Sequence, residues 1–264
     1  MSGVFVEEHV CTANPAAPTL VLLHGWGLHS GVWRDFLPLL TPHIHVRCID
    51  LPGFGRSRAM TIPATLDGMV DAVIQAVPAR AIWAGWSLGG LVALAVAARH
   101  PESVTALVLL AATPCFVQRS NWATAMPLAH FDEFSRTVRQ DAGVALKQFL
   151  ALQCKGSDTM KNDLRFLQET LRQQDLPVAS ALFAGLAVLG ESDLRDRVTG
   201  LDVPLLALTG EHDGLVPAVV GAALQELDPH CAALVIAGAA HAPFVSHPVQ
   251  CRDALLTFIR EIHE

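Results

Sequence analysis

Lysine is scarce: the 264 residues hold only Lys147, Lys155 and Lys161, and charged side chains make up 16% of the chain. With 25 acidic residues against 18 basic ones, a formal net charge of −7, the chain lacks the cationic excess that tracking a phosphate backbone needs, which argues against general nucleic-acid binding. None of the six cysteines (Cys11, Cys48, Cys115, Cys154, Cys231 and Cys251) forms a C-x-x-C pair. Their spacing suggests neither a zinc site nor a disulfide framework, so free buried thiols in a reducing compartment are expected. No apolar run reaches the roughly 18 residues of a membrane span. The first ten residues, MSGVFVEEHV, lack the basic and apolar regions of a signal peptide. Internal repeats and low-complexity segments are also missing. These absences predict a soluble, cytoplasmic protein that engages neither nucleic acid nor membrane.

What is present is a large apolar content, 52% of residues, enough to bury a sizeable core. Short uniform apolar runs recur at 19–25, 45–50, 81–86, 105–113, 204–210 and 232–238. Such runs suit strands buried on both faces, as in a parallel sheet. Helical patterns lie between them. In 65–77 the residues Leu66, Met69, Val70, Val73, Ile74 and Val77 share one face, and 88–100 is apolar nearly all round. Ser246 is the expected cap of a last helix with Pro248 in its first turn. Strands alternating with helices predict a doubly wound, mostly parallel α/β sheet.

The alternation stops after Pro114. Residues 117–190 carry three or four helical patterns and no strong strand candidate. They are expected to form a helical lid over one edge of the sheet, inserted after the strand at 105–113, with 1–116 and 191–264 as the core. All three lysines lie in this segment, and Arg136 to Arg172 holds seven basic residues against four acidic ones. A solvated helix face would give scattered charge too.

One polar residue stands out at a junction of apolar elements. Gly85-Trp86-Ser87-Leu88-Gly89 matches G-x-S-x-G between an expected strand and an expected helix. A serine on such a tight turn needs small neighbours, which Gly85, Gly89 and Gly90 supply. The turn would present the hydroxyl at a helix N-terminus, where developing negative charge is favoured.

A serine hydroxyl needs a base. Of twelve histidines, His241 is the candidate, because it follows the last apolar run in a loop of small residues. His247 stands at a helix start and reads as structural; His212 lies in a different loop; His43 and His45 lack a third ligand for a metal. The base in turn needs a carboxylate. Asp213 follows the run at 204–210, at a strand's C-terminal end, with Glu211 as its rival. The glycines of His24-Gly25-Trp26-Gly27 would let the backbone approach a reacting carbonyl, making the amides of Trp26 and Leu88 candidate oxyanion donors. His24 itself reads as a hydrogen-bonding structural residue. The chemistry requires no metal or cofactor.

Taken together, "LVLLHGWGLHSGVW", "DLPGFGRSR", "AIWAGWSLGGLVA", "PCF", "FLALQ", "DGLVP" and "AAHAPFVSHP" resemble the α/β-hydrolases and, within them, the pimeloyl-[acyl-carrier protein] methyl ester esterases of biotin synthesis. The resemblance spans nearly the whole chain. It implies Ser87 as nucleophile, His241 as base and Asp213 as orienting acid. It also implies that Trp26, Leu88 and the stretch Phe149, Leu150, Ala151, Leu152 and Gln153 line the substrate site. The implied substrate is a pimeloyl chain methyl-esterified at one end and thioester-linked to acyl carrier protein at the other. Lys161 and Arg165 fall at two positions where the family meets the acidic carrier. Val144 and Gln148 stand where two further arginines are expected, with Lys147 beside them. A monomer is expected. A short-chain carboxylesterase, a lactonase or a carbon–carbon bond hydrolase would share the same triad, and a ligand-binding receptor could share the fold. A haloalkane dehalogenase would need a carboxylate where Ser87 stands.

Overall fold

The computed structural model describes residues 3–61, 64–77 and 79–263. Seven strands form one sheet: β1 (Val6–His9), β2 (Thr19–Leu23), β3 (His45–Ile49), β4 (Ala81–Trp86), β5 (Val104–Leu110), β6 (Leu205–Gly210) and β7 (Ala232–Ile236). Their order is β1-β3-β2-β4-β5-β6-β7. Only β1 runs antiparallel, pairing Val6 with Ile49; β2 to β7 are parallel, with Leu22 opposite Ala84 and Gly85 opposite Leu109.

The helices follow the strands in turn. α1 (Leu37–Leu40) lies between β2 and β3, α2 (Leu66–Ile74) between β3 and β4, and α3 (Leu88–Arg99) between β4 and β5. After β5 come α4 (Leu128–Gln140), α5 (Ala142–Cys154), α6 (Met160–Arg172), α7 (Ala179–Glu191) and α8 (Arg195–Val198). α9 (Val220–Leu227) joins β6 to β7, and α10 (Pro243–Ser246) and α11 (Pro248–Glu261) close the chain.

The period of two along each strand sorts side chains into two layers. Val21, Leu23, Trp83, Leu107 and Leu109 pack on one face with residues of α2, α3 and α9. Leu20, Leu22, Ile82, Ala84 and Val108 pack on the other with α1, α10 and α11. Burial on both faces explains why the central strands read as unbroken apolar runs. Each fully buried Leu, Val or Ile contributes roughly 1.5–3 kcal/mol relative to exposure. Local signals set the helix boundaries. Thr65 caps α2 by accepting the Gly68 N–H at 3.1 Å, and Asp141 caps α5 by accepting the Val144 N–H at 3.0 Å.

Four sequence-based expectations change here. β1 was not legible, because VEEH is a short edge strand with half-buried, mostly charged residues. β7 is the opposite edge strand rather than a strand buried on both faces, and Leu234 and Val235 are about half exposed. β5 stops at Leu110, because Ala111 turns to φ 44°. The cap of α11 is His247, not Ser246; Ser246 ends α10 and its hydroxyl pairs with the His247 ring at 2.8 Å.

The helices α5 and α7 pack closely against the loops that follow β2 and β3 and against the start of α3. A Cβ on Gly185 of α7 would stand 2.6 Å from the Trp26 ring and 3.3 Å from the Leu88 side chain. A Cβ on Gly27 would stand 2.6 Å from Leu146 of α5. One on Gly53 would overlap Ala181 of α7.

Candidate active site

Ser87 sits between β4 and α3 at φ 53°, ψ −116°, a conformation that L-residues rarely adopt. Strain of this kind costs of order 1–3 kcal/mol and persists only where neighbours enforce it. Here the Ser87 N–H donates to Leu110 O at 3.0 Å, and Ser87 O accepts from the N–H groups of Gly90 at 2.9 Å and Leu91 at 3.2 Å. The three glycines are sterically required. A Cβ at Gly85 would overlap the backbone of Gly89, one at Gly89 the Leu23 carbonyl, and one at Gly90 the Ala112 side chain.

The loops after β6 and β7 bring an acid and an imidazole together. His241 Nδ1 donates to Asp213 Oδ2 at 2.8 Å, with both side chains buried. Asp213 Oδ1 accepts from the N–H groups of Leu215 at 2.8 Å and Val216 at 2.9 Å. The carboxylate is thereby oriented by three donors, and the Nδ1 bond leaves Nε2 as the ring's acceptor. Nε2 is buried and has no partner among the described residues. The main chain of His241 is held at both ends: its N–H donates to Gln153 O at 3.0 Å, and its carbonyl accepts the indole N–H of Trp86 at 2.7 Å. His241 therefore lies against the residue that precedes Ser87, their neighbouring rings 5.7 Å apart. Ser87 Oγ makes no hydrogen bond among the described residues.

Glu211, the alternative acid, turns away. Its carboxylate accepts the Gly238 N–H at 2.9 Å instead. His212 stands 3.8 Å from Glu211, and His45 takes the Cys11 N–H at 3.0 Å. No group of three metal-ligating side chains occurs among the described residues. The six cysteines are free and buried, and burial, reinforced by Asp163, pushes the Cys154 thiol up to about 12. His24 is a structural link: Nδ1 donates to Gly25 O at 2.8 Å and Nε2 accepts the Leu51 N–H at 2.9 Å. Burial lowers its pKa to about 4, so it stays neutral.

The amides of Trp26 and Leu88 donate to no acceptor among the described residues. The Trp26 ring is fixed from the helical insertion. Its indole N–H donates to Leu182 O at 2.9 Å, and Phe149 and Phe134 meet it edge-on at 5.1 and 5.4 Å. Beside it lies a cavity of about 220 Å³, walled by Trp26, Phe116, Phe131, Phe149, Leu152 and Leu215 among others.

The expected substrate stretch divides by helical phase. Phe149 and Leu152, three residues apart, face the cavity. Leu150 does not; it packs in the opposite core layer with Cys154 and Leu167. Ala151 is half-buried and outside the cavity wall, and Gln153 is buried, reaching His241 through its carbonyl. Lys147 on α5 and Lys161 and Arg165 on α6 are exposed. The holding roles of Trp86 and Gly185 were not found from sequence. The glycine's packing partners lie far along the chain and leave no local signal.

Residues 18–248 match the family described as the alpha/beta hydrolase fold, and the chain belongs to that family. A pimeloyl-[acyl-carrier protein] methyl ester esterase of Edwardsiella ictaluri is 42% identical over 98% of this chain and 98% of its own. One of the same name from Yersinia enterocolitica is 39% identical over 92% of this chain and 93% of its own. Among solved structures, an esterase from Exiguobacterium antarcticum shares the fold with a TM-score of 0.84 at 22% identity, covering 97% of this chain and 95% of that one. No helix of the described residues is long and apolar enough to cross a membrane.

Proposed function

We propose that the protein is a serine carboxylesterase that hydrolyses the methyl ester of pimeloyl-acyl carrier protein, giving pimeloyl-acyl carrier protein and methanol for biotin synthesis. The observation that carries the chemistry is the 2.8 Å bond from His241 Nδ1 to Asp213, which leaves Nε2 as an acceptor on a ring that lies 5.7 Å from that of Trp86, the residue before Ser87. The full-length likeness to the two esterases supports the substrate.

In this reading Ser87 Oγ attacks the ester carbonyl carbon while Nε2 of His241 takes the hydroxyl proton. Asp213 balances the imidazolium. The tetrahedral oxyanion accepts from the Trp26 and Leu88 amides, each such donor stabilising the transition state by roughly 3 kcal/mol. The carbon–oxygen bond to the methoxy group breaks, and His241 returns the proton to the departing methanol. Water then attacks the acyl-serine, passing a proton to the same nitrogen, and frees the carboxylic acid and Ser87.

Residues 117–190 act as the lid, with the acyl chain in the cavity beneath it. The cavity of about 220 Å³ is walled mostly by apolar and aromatic side chains. That lining suits an acyl chain. Lys147, Lys161 and Arg165 meet the carrier's acidic surface. Because Val144 and Gln148 replace expected arginines, docking relies on fewer cations. The test is growth without biotin of a bacterial strain lacking its own pimeloyl ester esterase. The wild-type gene restores growth and Ser87→Ala does not. Failure of the wild-type gene, or rescue by Ser87→Ala, overturns the assignment.

A further inference from the structure

Gly238 is the point where three segments meet, three residues before His241. Its N–H donates to Glu211 Oε2 at 2.9 Å, from the loop after β6. Its carbonyl accepts the Asp158 N–H at 3.0 Å, from the turn between α5 and α6. It adopts φ 72°, and a Cβ there would overlap the Asp158 carboxylate, so the junction needs glycine. Nearby bonds continue the stitching. The N–H groups of Glu211 and His212 donate to Ile236 O at 3.1 Å and Ala239 O at 2.8 Å. Gln153 O and the Trp86 indole then hold His241 itself.

Within this set the main-chain bonds are indifferent to side-chain identity. Three side chains complete it: Asp213 on the His241 ring, Trp86 on the His241 carbonyl and Glu211 at the Gly238 end. Glu211 is half exposed, its charged neighbour is the His212 ring at 3.8 Å, and the His241 ring is bonded to Asp213 instead, so neither core packing nor direct acid catalysis accounts for the shorter bond from the Gly238 amide to its carboxylate.

We propose that Glu211 is a positioning residue for His241: its carboxylate anchors the Gly238 amide, and the anchored loop delivers the imidazole to Ser87. This rests on the hydrolase reading above. Small displacements of a catalytic group are costly, which gives a side chain at this distance leverage over the rate. A surface carboxylate that merely tied two loops would instead change stability alone.

The experiment is steady-state hydrolysis of p-nitrophenyl butyrate by the full chain, with urea unfolding alongside. Glu211→Ala lowers kcat by about 10-fold, with KM changed by less than about 2-fold. Glu211→Gln, whose amide oxygen can still accept the Gly238 N–H, recovers most of the rate. Should Glu211→Ala fail to fold, Glu211→Asp, one methylene short, takes its place under the same criteria. Wild-type kcat in the truncated variant overturns the proposal, even if stability falls. So does a loss carried by KM, or a Gln variant no better than Ala. Ser87→Ala and His241→Ala are run in parallel. Turnover in those variants defeats the hydrolase reading itself, whereas their inactivity beside a fully active Glu211→Ala defeats only the positioning role.

Discussion

The indole nitrogen of Trp86, one residue before Ser87, donates to the carbonyl of His241 at 2.7 Å. The strand that runs into Ser87 thus holds the loop that carries His241. Trp86→Phe keeps most of the buried ring but leaves that carbonyl without its donor. An unsatisfied buried acceptor costs about 1–3 kcal/mol. The expected outcome is a stability loss of that size by urea unfolding, with kcat falling more than KM rises.

Gly185 lets α7 lie on the Trp26 ring and the Leu88 side chain. Alanine favours a helix over glycine by about 1 kcal/mol, so on propensity alone Gly185→Ala should stabilise. The added methyl group, 2.6 Å from Trp26, reverses that. The expectation is an ester hydrolysis rate reduced at least about 10-fold, because the amide of Trp26 shifts with its ring. An unchanged rate would show that the helix moves aside without disturbing the loop.

Burial holds the pKa of His24 at about 4 in the folded protein, against 6.5 in an unfolded chain. Between those values the unfolded state binds more protons. Stability from this residue is therefore fully present above pH 6.5 and is lost as pH falls toward 4, by about 3 kcal/mol. Urea unfolding at several pH values reads the slope. His24→Gln should be less stable near neutral pH and should show a flatter pH dependence over that window.

Lys161 and Arg165 stand four residues apart on exposed turns of α6. Reversing both to Glu should slow turnover of the carrier-linked ester and leave a p-nitrophenyl ester unaffected. The wild-type rate on the carrier-linked substrate should also fall with salt, because the Debye length is about 8 Å at physiological ionic strength. Equal slowing of both substrates would remove these residues from docking.

Much of this architecture is legible in the sequence because burial on both faces writes a simple pattern. The runs that became β2, β4 and β6 carry no charge, and Ser87 interrupts them between glycines whose steric necessity follows from the turn. The edges are harder to read. VEEH in β1 gains its strand from pairing with β3 and not from its own composition. Asp213 and Glu211 are two residues apart and chemically alike. Only the fold shows which carboxylate meets the imidazole and which meets Gly238. Likewise, the run from Phe149 to Gln153 reads as one stretch, but helical phase turns Leu150 away from the cavity.

The central claim is that Ser87, served by His241 and Asp213, cleaves the methyl ester. Methanol release from purified pimeloyl-acyl carrier protein methyl ester tests it most directly, comparing wild type with Ser87→Ala and Asp213→Asn, each shown folded by circular dichroism. The account predicts no detectable turnover for Ser87→Ala and a kcat lowered by about 10⁴-fold for Asp213→Asn, in which the wrong ring tautomer is favoured. Methanol released by Ser87→Ala at a rate near that of the wild type would contradict it.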